Sequence, residues 1–552
     1  MTMRTCLKDE AKFLTDVEEE LFVASRAKFE GILDKLAGQD CRDRSHSEVE
    51  SMLQIEGRDL LRRLMQDHLS LRTAREPKRP SVVGSEGTSR REVVEAKQRT
   101  LETIFGGVEV ERKVYRAPRK GVGNLMPLDL ELNLPTSRFS FGLQRSAAME
   151  LARSSFESTR ETLERQTGVE ISKGQLEDMA ARMAADFELF YLTGSTQAQA
   201  GLTAVLGSKD TLKSPQGLDR SKLLVITTDG KGVRVVERDL RDATRKAAQK
   251  RREQSEKSDP FPENEKVKLY RKRMAQVCAV YCIAAYCRAP EDIIGEMRHL
   301  RPVGEKSCRP RPEQKRTWAS VEREPEQVLR QAFEEALLRD PRREMRWVVV
   351  VDGNPEQLRI IRRLVKEMDL EVTLVLDFIH VAGYVWKASY CFHPRGSDAA
   401  RQWVDEKLLA ILRGKASDVA AGIRRSATLA GLAKSKRKPV DTCCDYLLDH
   451  TDMVRYDELL RAGMPIASGV IEGACRHLMK DRLDLSGATW TVQNAEAVIK
   501  LRSLRTSGDF DDYWAFHERE ELRRNHLSRY RDNLPPPRPL NSAKPPPLRA
   551  LP

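Results

Sequence analysis

A mixed α/β sheet flanked by helices, interrupted by an α-helical insertion and preceded by a mainly α-helical region, is the architecture this sequence predicts. Three patterns carry it. WVVVV at 347–351 and VTLVL at 372–376 are short apolar runs without alternation, as in strands buried on both faces. Between them lie helix-start signals: Asn354 as the cap, Pro355 in the first position and Gln357 closing a capping-box-like pair. Helical periodicity fills 139–191 and most of 381–466 in blocks, so helices and strands do not simply alternate.

In chain order, residues 1–98 are expected to form a helical N-terminal region that ends in a polar linker over 76–98. A small β-hairpin region covers 99–137, because LETIFGGVEVERKVYR alternates apolar and polar residues around Gly-Gly. Over 138–221, SSFESTRETLERQTG is a helix stopped at Gly168, and Ser172 opens a second one. The pair is helix-turn-helix-like; a plain helical hairpin is the alternative. Residues 222–380 begin the α/β core. KLLVITTDGKGVRVVERD reads as strand, tight DGKG turn, strand, and an apolar strand follows at 275–286. Pro325 then opens a helix with Val328, Ala332, Phe333, Ala336 and Leu337 on its apolar side. Three strands, helix, strand, helix, strand make a mixed sheet. The helical insertion spans 381–466, with breaks at HPRG and around Pro439. Residues 467–532 complete the core, and 533–552 form a Pro-rich, disordered tail.

With 40% hydrophobic and 32% charged residues, the chain can bury real cores, which excludes wholesale disorder. No run approaches the roughly 18 apolar residues of a membrane span, and the charged start MTMRTCLKDEAKFL excludes a secretory signal. The ten cysteines form no C-x-x-C pair, so neither a zinc ribbon nor a disulfide framework is expected; Cys278, Cys282 and Cys287 read as small core residues. Lys+Arg 96 against Asp+Glu 83 gives +13, which suits a polyanion such as nucleic acid or serves solubility alone. From Arg413 to Lys438 eight cations (Arg413, Lys415, Arg424, Arg425, Lys434, Lys436, Arg437 and Lys438) meet only Asp418, so 8 − 1 = +7. A one-signed run of this length is read as a phosphate-binding surface rather than a solvated helical face.

Three carboxylates stand at privileged places. Asp229 ends the first apolar strand and Asp352 ends WVVVV, each as a D-G pair. Ligands collect at the carboxyl ends of strands in α/β sheets, although D-G is also a common turn dipeptide. Glu472 lies in SGVIEGACRHLMKDRL, a helix with Ile471, Cys475 and Leu478 as its apolar stripe. A helical pair with Arg476 is its plain alternative. Converging Asp and Glu oxygens make a hard-cation site for Mg²⁺ or Mn²⁺, and two such ions can act on a phosphodiester. Asp377 also ends a buried strand, and on sheet geometry alone it competes with Glu472 as third ligand. His380 reads as a hydrogen-bonded core histidine. Arg476, Lys480 and Trp490 join Arg424, Arg425, Lys436 and Arg437 as candidate DNA contacts, with Trp490 either a stacking platform for an unpaired base or a core residue.

The strings TTDGKGV, KRTWASVE, WVVVVDGNPEQ, LDFIHVAGYVWKA, GIRRSATLAGL, PIASGVIEGACRHLMKDRLDLSGATW and GDFDDYWAFH resemble the bacterial insertion-sequence transposases of the ISKra family, over residues 100 to 530. These resemble Mutator-type DDE transposases with an RNase H-like catalytic core. The resemblance implies that Asp229, Asp352 and Glu472 are the catalytic and metal-binding triad. The intervals between them are 352 − 229 = 123 and 472 − 352 = 120 residues, and the second holds the helical insertion. Asp377 and His380 match a Cys/Asp-x-x-His signature whose usual role is structural. The resemblance further implies two Mg²⁺ or Mn²⁺ ions and double-stranded DNA as partner, both terminal inverted repeats and target. It also implies a homo-oligomer on DNA and a cytoplasmic, nucleoid-associated location. Some relatives carry Cys-rich ribbons near the N-terminus, and this chain has none. A catalytically inactive or domesticated DNA-binding relative, and a structure-selective nuclease of the same core type, are the alternatives.

Overall fold

The structure is a computed structural model and describes residues 20–119, 121–194, 222–255, 272–298, 309–484 and 488–537. The Pro-rich tail beyond 537 and residues 256–271, the middle of a charged stretch over 239–274, lie outside the described residues. The chain divides into two compact units, Met1–Asp186 with Trp514–Pro552, and Phe187–Tyr513.

In the first unit, helices Val23–Ala37 and His46–Ala74 precede two short strands, β1 (Val82–Val83) and β2 (Ser89–Arg90). A long hairpin follows, β3 (Val93–Thr103) with β4 (Gly106–Tyr115). Its turn residues are Ile104 and Phe105. Gly106 opens the return strand at φ +116, a backbone state that suits glycine. One hairpin face packs on the long helix, where Leu69 meets Leu101, Val108 and Val110. Residues 76–98 are not a linker. Glu76, Arg79 and Arg90 are buried there, and Arg79 and Arg90 pair with Glu131 at 2.9 Å and Glu86 at 2.6 Å. Charge count suggested solvent, but each guanidinium found a carboxylate. Helices Phe156–Thr167 and Lys173–Met183 follow the expected signals. Gly168 closes the first at φ +71, and the Ser172 and Gln175 side chains form a capping box at the second.

In the second unit five strands form one mixed sheet: β5 (Leu223–Arg234), β6 (Lys272–Ile283), β7 (Glu313–Ser320), β8 (Arg346–Val351) and β9 (Val372–Leu376), in the order β7-β6-β5-β8-β9. β5, β6 and β7 pair antiparallel in sequence, whereas β8 and β9 run parallel to β5. Residues 223–228 and 347–351 are buried without interruption, as a central sheet covered on both faces requires. Helix Pro325–Arg339 packs on β5 and β6, and helix Val492–Ser507 on β7.

Several local expectations are corrected. DGKG is not a turn: β5 runs straight through it, because β6 offers a ladder along its whole length, with Gly230 opposite Gln276 and Gly232 opposite Met274. The third antiparallel strand is instead EQKRTWAS, whose charged first half hides an apolar second half. Gln357 does not close a capping box. Asn354 caps the backbone N–H groups of Glu356 and Gln357, while the Gln357 amide reaches Gln276 at 3.4 Å. Pro439 lies inside helix Lys434–Asp449 rather than breaking it. Cys287 is exposed, because β6 has already ended at Ile283; Cys278 and Cys282 are core residues. No helix among the described residues is long and apolar enough to cross a membrane.

Arg316 on β7 shows how the interior holds charge. Its guanidinium lies 3.4 Å from the Tyr191 ring centroid and 4.5 Å from that of Trp318, and it pairs with buried Glu335. Arg339 pairs with Glu335 at 2.7 Å from the other side. Burial alone would raise the Glu335 carboxyl; Arg316 and Arg339 overcome it and hold it below its ordinary value. Glu335→Gln leaves two buried cations without a counter-charge and is expected to cost about 3–5 kcal/mol by urea unfolding. Because the folded value is depressed, this contribution is present above the ordinary carboxylate range of about pH 4.3 and is lost as pH falls through the folded value. A flat acid limb, or a Gln variant as stable as the parent, would show the pair to be neutral.

Candidate active site

The parallel strands carry their aspartates to one level. Thr227 is opposite Val350 and Val351 is opposite Leu376. Continuing those registers sets Asp229, Asp352 and Asp377 side by side just past the paired strand ends. Neighbouring strands lie about 4.8 Å apart, which fixes the spacing of the row.

Each aspartate meets its strand end differently. Asp377 is buried and caps helix Phe378–Ser389: one oxygen accepts from the Ile379 N–H at 2.8 Å, and the other from the Ser468 hydroxyl and N–H. It is buried and takes three donors on its two oxygens, which leaves it poorly placed as a cation ligand. Asp229 and Asp352 are half-buried. Asp229 Oδ1 accepts from the Gly230 N–H at 2.6 Å, and the Cys475 thiol donates to Oδ2 at 3.2 Å. Asp352 Oδ1 accepts from the Asn354 N–H at 2.9 Å. Carboxylate oxygens have spare lone pairs beyond these single contacts.

Glu472 comes from the short helix Gly469–Ala474, which packs against β5 and β6. It is exposed, and one turn on, Cys475 is buried and touches Asp229. Partial burial raises the Glu472 carboxyl, the Asp377 and Asp229 charges raise it further, and His380 opposes them. Thus Glu472 shares its surroundings with Asp229, Asp377 and His380. His380 is half-buried rather than a core residue. The helix widens to a π-helix over Cys475–Lys480, and Arg476 turns to Asp481 at 3.6 Å instead of pairing with Glu472.

Among the described residues, the group of three that brings ligand atoms within 4.8 Å of one another is Asp186, His517 and Glu521, so Asp229, Asp352 and Glu472 stand more openly than that. Sequence reasoning missed this group, whose first and second members lie 331 residues apart. Its one visible signal was His517 and Glu521 at i,i+4 on helix Phe510–Asn525. Asp186 accepts from His517 Nδ1 at 2.7 Å and pairs with Arg524 at 2.5 Å. Arg524 also pairs with Glu521 at 2.9 Å, so both carboxylates of the group already have a cationic partner.

The candidate DNA contacts divide. Arg425, Lys436, Arg476 and Lys480 are exposed. Arg424 pairs with Asp445 and Arg437 with Asp441, acids that lie just beyond the +7 run and offset part of it. Trp490 is a core residue, which corrects its reading as a stacking platform. It is 6% exposed, its backbone bridges to Val235, and Arg482 lies 4.7 Å from its ring. Trp490→Ala is therefore expected to cost about 3–5 kcal/mol of stability by denaturant unfolding, and Trp490→Phe less. A stable Ala variant with impaired function would return Trp490 to the site.

No protein-family model matches the chain, and no curated protein matches it.

Proposed function

We propose that the chain is a DNA transposase of an insertion sequence, acting through Asp229, Asp352 and Glu472. One observation carries this: two half-buried aspartates stand level on adjacent parallel strands, and Glu472, 120 residues after the second, lies on a helix packed against β5 whose next turn brings Cys475 onto Asp229. The sheet order supports an RNase H-like core, since three antiparallel strands, helix, strand, helix, strand build it. The helix pair ending and starting at Gly168 and Ser172 supports a DNA-reading unit in the N-terminal half.

The donors suit a hard divalent cation, because all three are carboxylates with lone pairs to spare. Mg²⁺ or Mn²⁺ held by Asp229, Asp352 and Glu472 would supply positive charge to the oxygens of a phosphodiester. The chain's own part is to hold those carboxylates at the sheet edge and to bind the DNA backbone. Water first breaks a P–O bond, leaving a 5′-phosphate and a free 3′-hydroxyl; that hydroxyl then forms a new P–O bond with a target phosphodiester, breaking its P–O3′ bond and releasing a target 3′-hydroxyl. Neither step uses a protein nucleophile, so no covalent protein–DNA intermediate is expected. Exposed Arg425, Lys436, Arg476 and Lys480 supply phosphate contacts, and assembly of copies on the two element ends fits this chemistry.

Asp229→Asn, Asp352→Asn and Glu472→Gln are each expected to abolish cleavage of the element's own ends in Mg²⁺ while leaving end binding intact. A neutral amide is a poor ligand for a hard cation yet nearly isosteric. Near-parental cleavage by any of the three removes that residue from the triad. Cleavage without joining to a target would point to a nuclease. The salt dependence of binding gives a second check. Each lost phosphate contact lowers the slope by about 0.9. Because Arg424 and Arg437 already have acidic partners, the fourfold change of Arg424, Arg425, Lys436 and Arg437 to Ala should lower the slope by about two contacts' worth rather than four.

A further inference from the structure

Helix Lys434–Asp449 carries Lys434, Lys436, Arg437 and Lys438 in its first turns and two aromatic side chains at its far end. Tyr446 donates its hydroxyl to the Asp352 carbonyl at 2.7 Å. His450 sets Nε2 3.2 Å from the Gly353 carbonyl and Nδ1 2.8 Å from the Tyr446 carbonyl. The Tyr446 ring stacks on Tyr384 with centroids 4.1 Å apart, which fixes where its hydroxyl points. Gly353 sits between them at φ +81. A Cβ there would meet Leu376 at 2.9 Å, and Tyr446 and His450 at 3.1 Å each. A neutral imidazole has one N–H, and the tautomer that carries it on Nε2 donates to the Gly353 carbonyl. In that tautomer the two carbonyls that follow β8 are both held from helix Lys434–Asp449 and its C-cap, around a residue that must be glycine.

We propose that Tyr446 and His450 are positioning residues for Asp352, fixing its carboxylate through the backbone of residues 352 and 353. The carboxylate's own contact is the Asn354 N–H, two residues on, so it cannot hold the strand end by itself. The clamp supplies that hold from outside the strand. Tyr446 lies ten residues beyond Lys436, about 15 Å along the helix axis at 1.5 Å per residue. The same rigid element therefore bears exposed cations at one end and the grip on Asp352 at the other. This inference rests on reading Asp352 as a cation ligand, and the test keeps the two apart.

Mn²⁺ binding to the full chain is followed by the electron paramagnetic resonance of the free ion, with the thermal midpoint measured on each variant. Tyr446→Phe removes one oxygen and keeps the ring stack. It should weaken Mn²⁺ binding about tenfold, the lower end of what loss of a ligand's supporting contact costs, at a near-parental midpoint. His450→Leu should do the same, and His450→Gln, which keeps a donor toward Gly353, should restore binding. Asp352→Asn should lose it. If Asp352→Asn loses binding while Tyr446→Phe and His450→Leu keep parental affinity, the positioning role is overturned and the ligand reading stands. If Asp352→Asn binds as the parent does, the ligand reading falls and the proposal with it. Should Tyr446→Phe fail to fold, the His450 pair decides: equal affinity in Leu and Gln overturns the proposal.

Discussion

Parallel pairing of β8 with β5 on one side and β9 on the other decides where residues 229, 352 and 377 can stand. Residues 347–351 are buried without interruption, so β8 has no solvent face to trade. A slip of one residue would turn every side chain to the opposite layer and take the aspartates out of line. The entry to β8 is pinned as well. Asp340, just past helix Pro325–Arg339, accepts from the N–H groups of Glu344 and Met345 and from the Trp347 indole, each at 2.9 Å. Register is therefore set at the start of the strand and expressed at its end.

A carboxylate beside a dry core is costly unless it is hydrogen-bonded. The row solves this three ways. Asp377 spends both oxygens on backbone and hydroxyl donors and is buried. Asp229 takes one N–H and one thiol, a weak donor; Asp352 takes a single N–H. Both remain half-open. Position at a strand end made all three candidates; burial together with three donors sets Asp377 apart. In the Asp186 group the carboxylates of Asp186 and Glu521 are likewise taken up, both by Arg524.

Much of the core was legible because its signals are local. Unalternating WVVVV and VTLVL, the Asn354 cap and the Gly168 stop each depend on neighbours within a few residues. The misses share a cause: a partner distant in sequence overrode the local signal. DGKG stays extended because β6 pairs with it. EQKRTWAS is a strand because Arg316 finds Glu335 and two aromatic rings. Residues 76–98 fold because Arg79 and Arg90 are paired inside. Asp229 and Asp352 could be picked out from strand ends alone. Glu472 could not, since nothing within its own helix distinguishes it from a surface glutamate, and only the family resemblance pointed to it.

The π-helix after Ala474 gives Glu472 its physical distinction. In a regular helix Arg476 would lie one turn from Glu472 and neutralise it. The wider turn of Cys475–Lys480 instead suits an i,i+5 contact, and Arg476 pairs with Asp481. Cys475 still falls on the buried side, one turn after Glu472, and ties the helix to Asp229. One irregularity thus keeps the helix docked on β5 while turning a cation away from the glutamate. Partial burial raises the Glu472 carboxyl, and what remains near it is mostly negative, Asp377 and Asp229 opposed by His380, which raises it further. Negative charge gathered without a fixed basic partner is a condition that the proposed cation site meets.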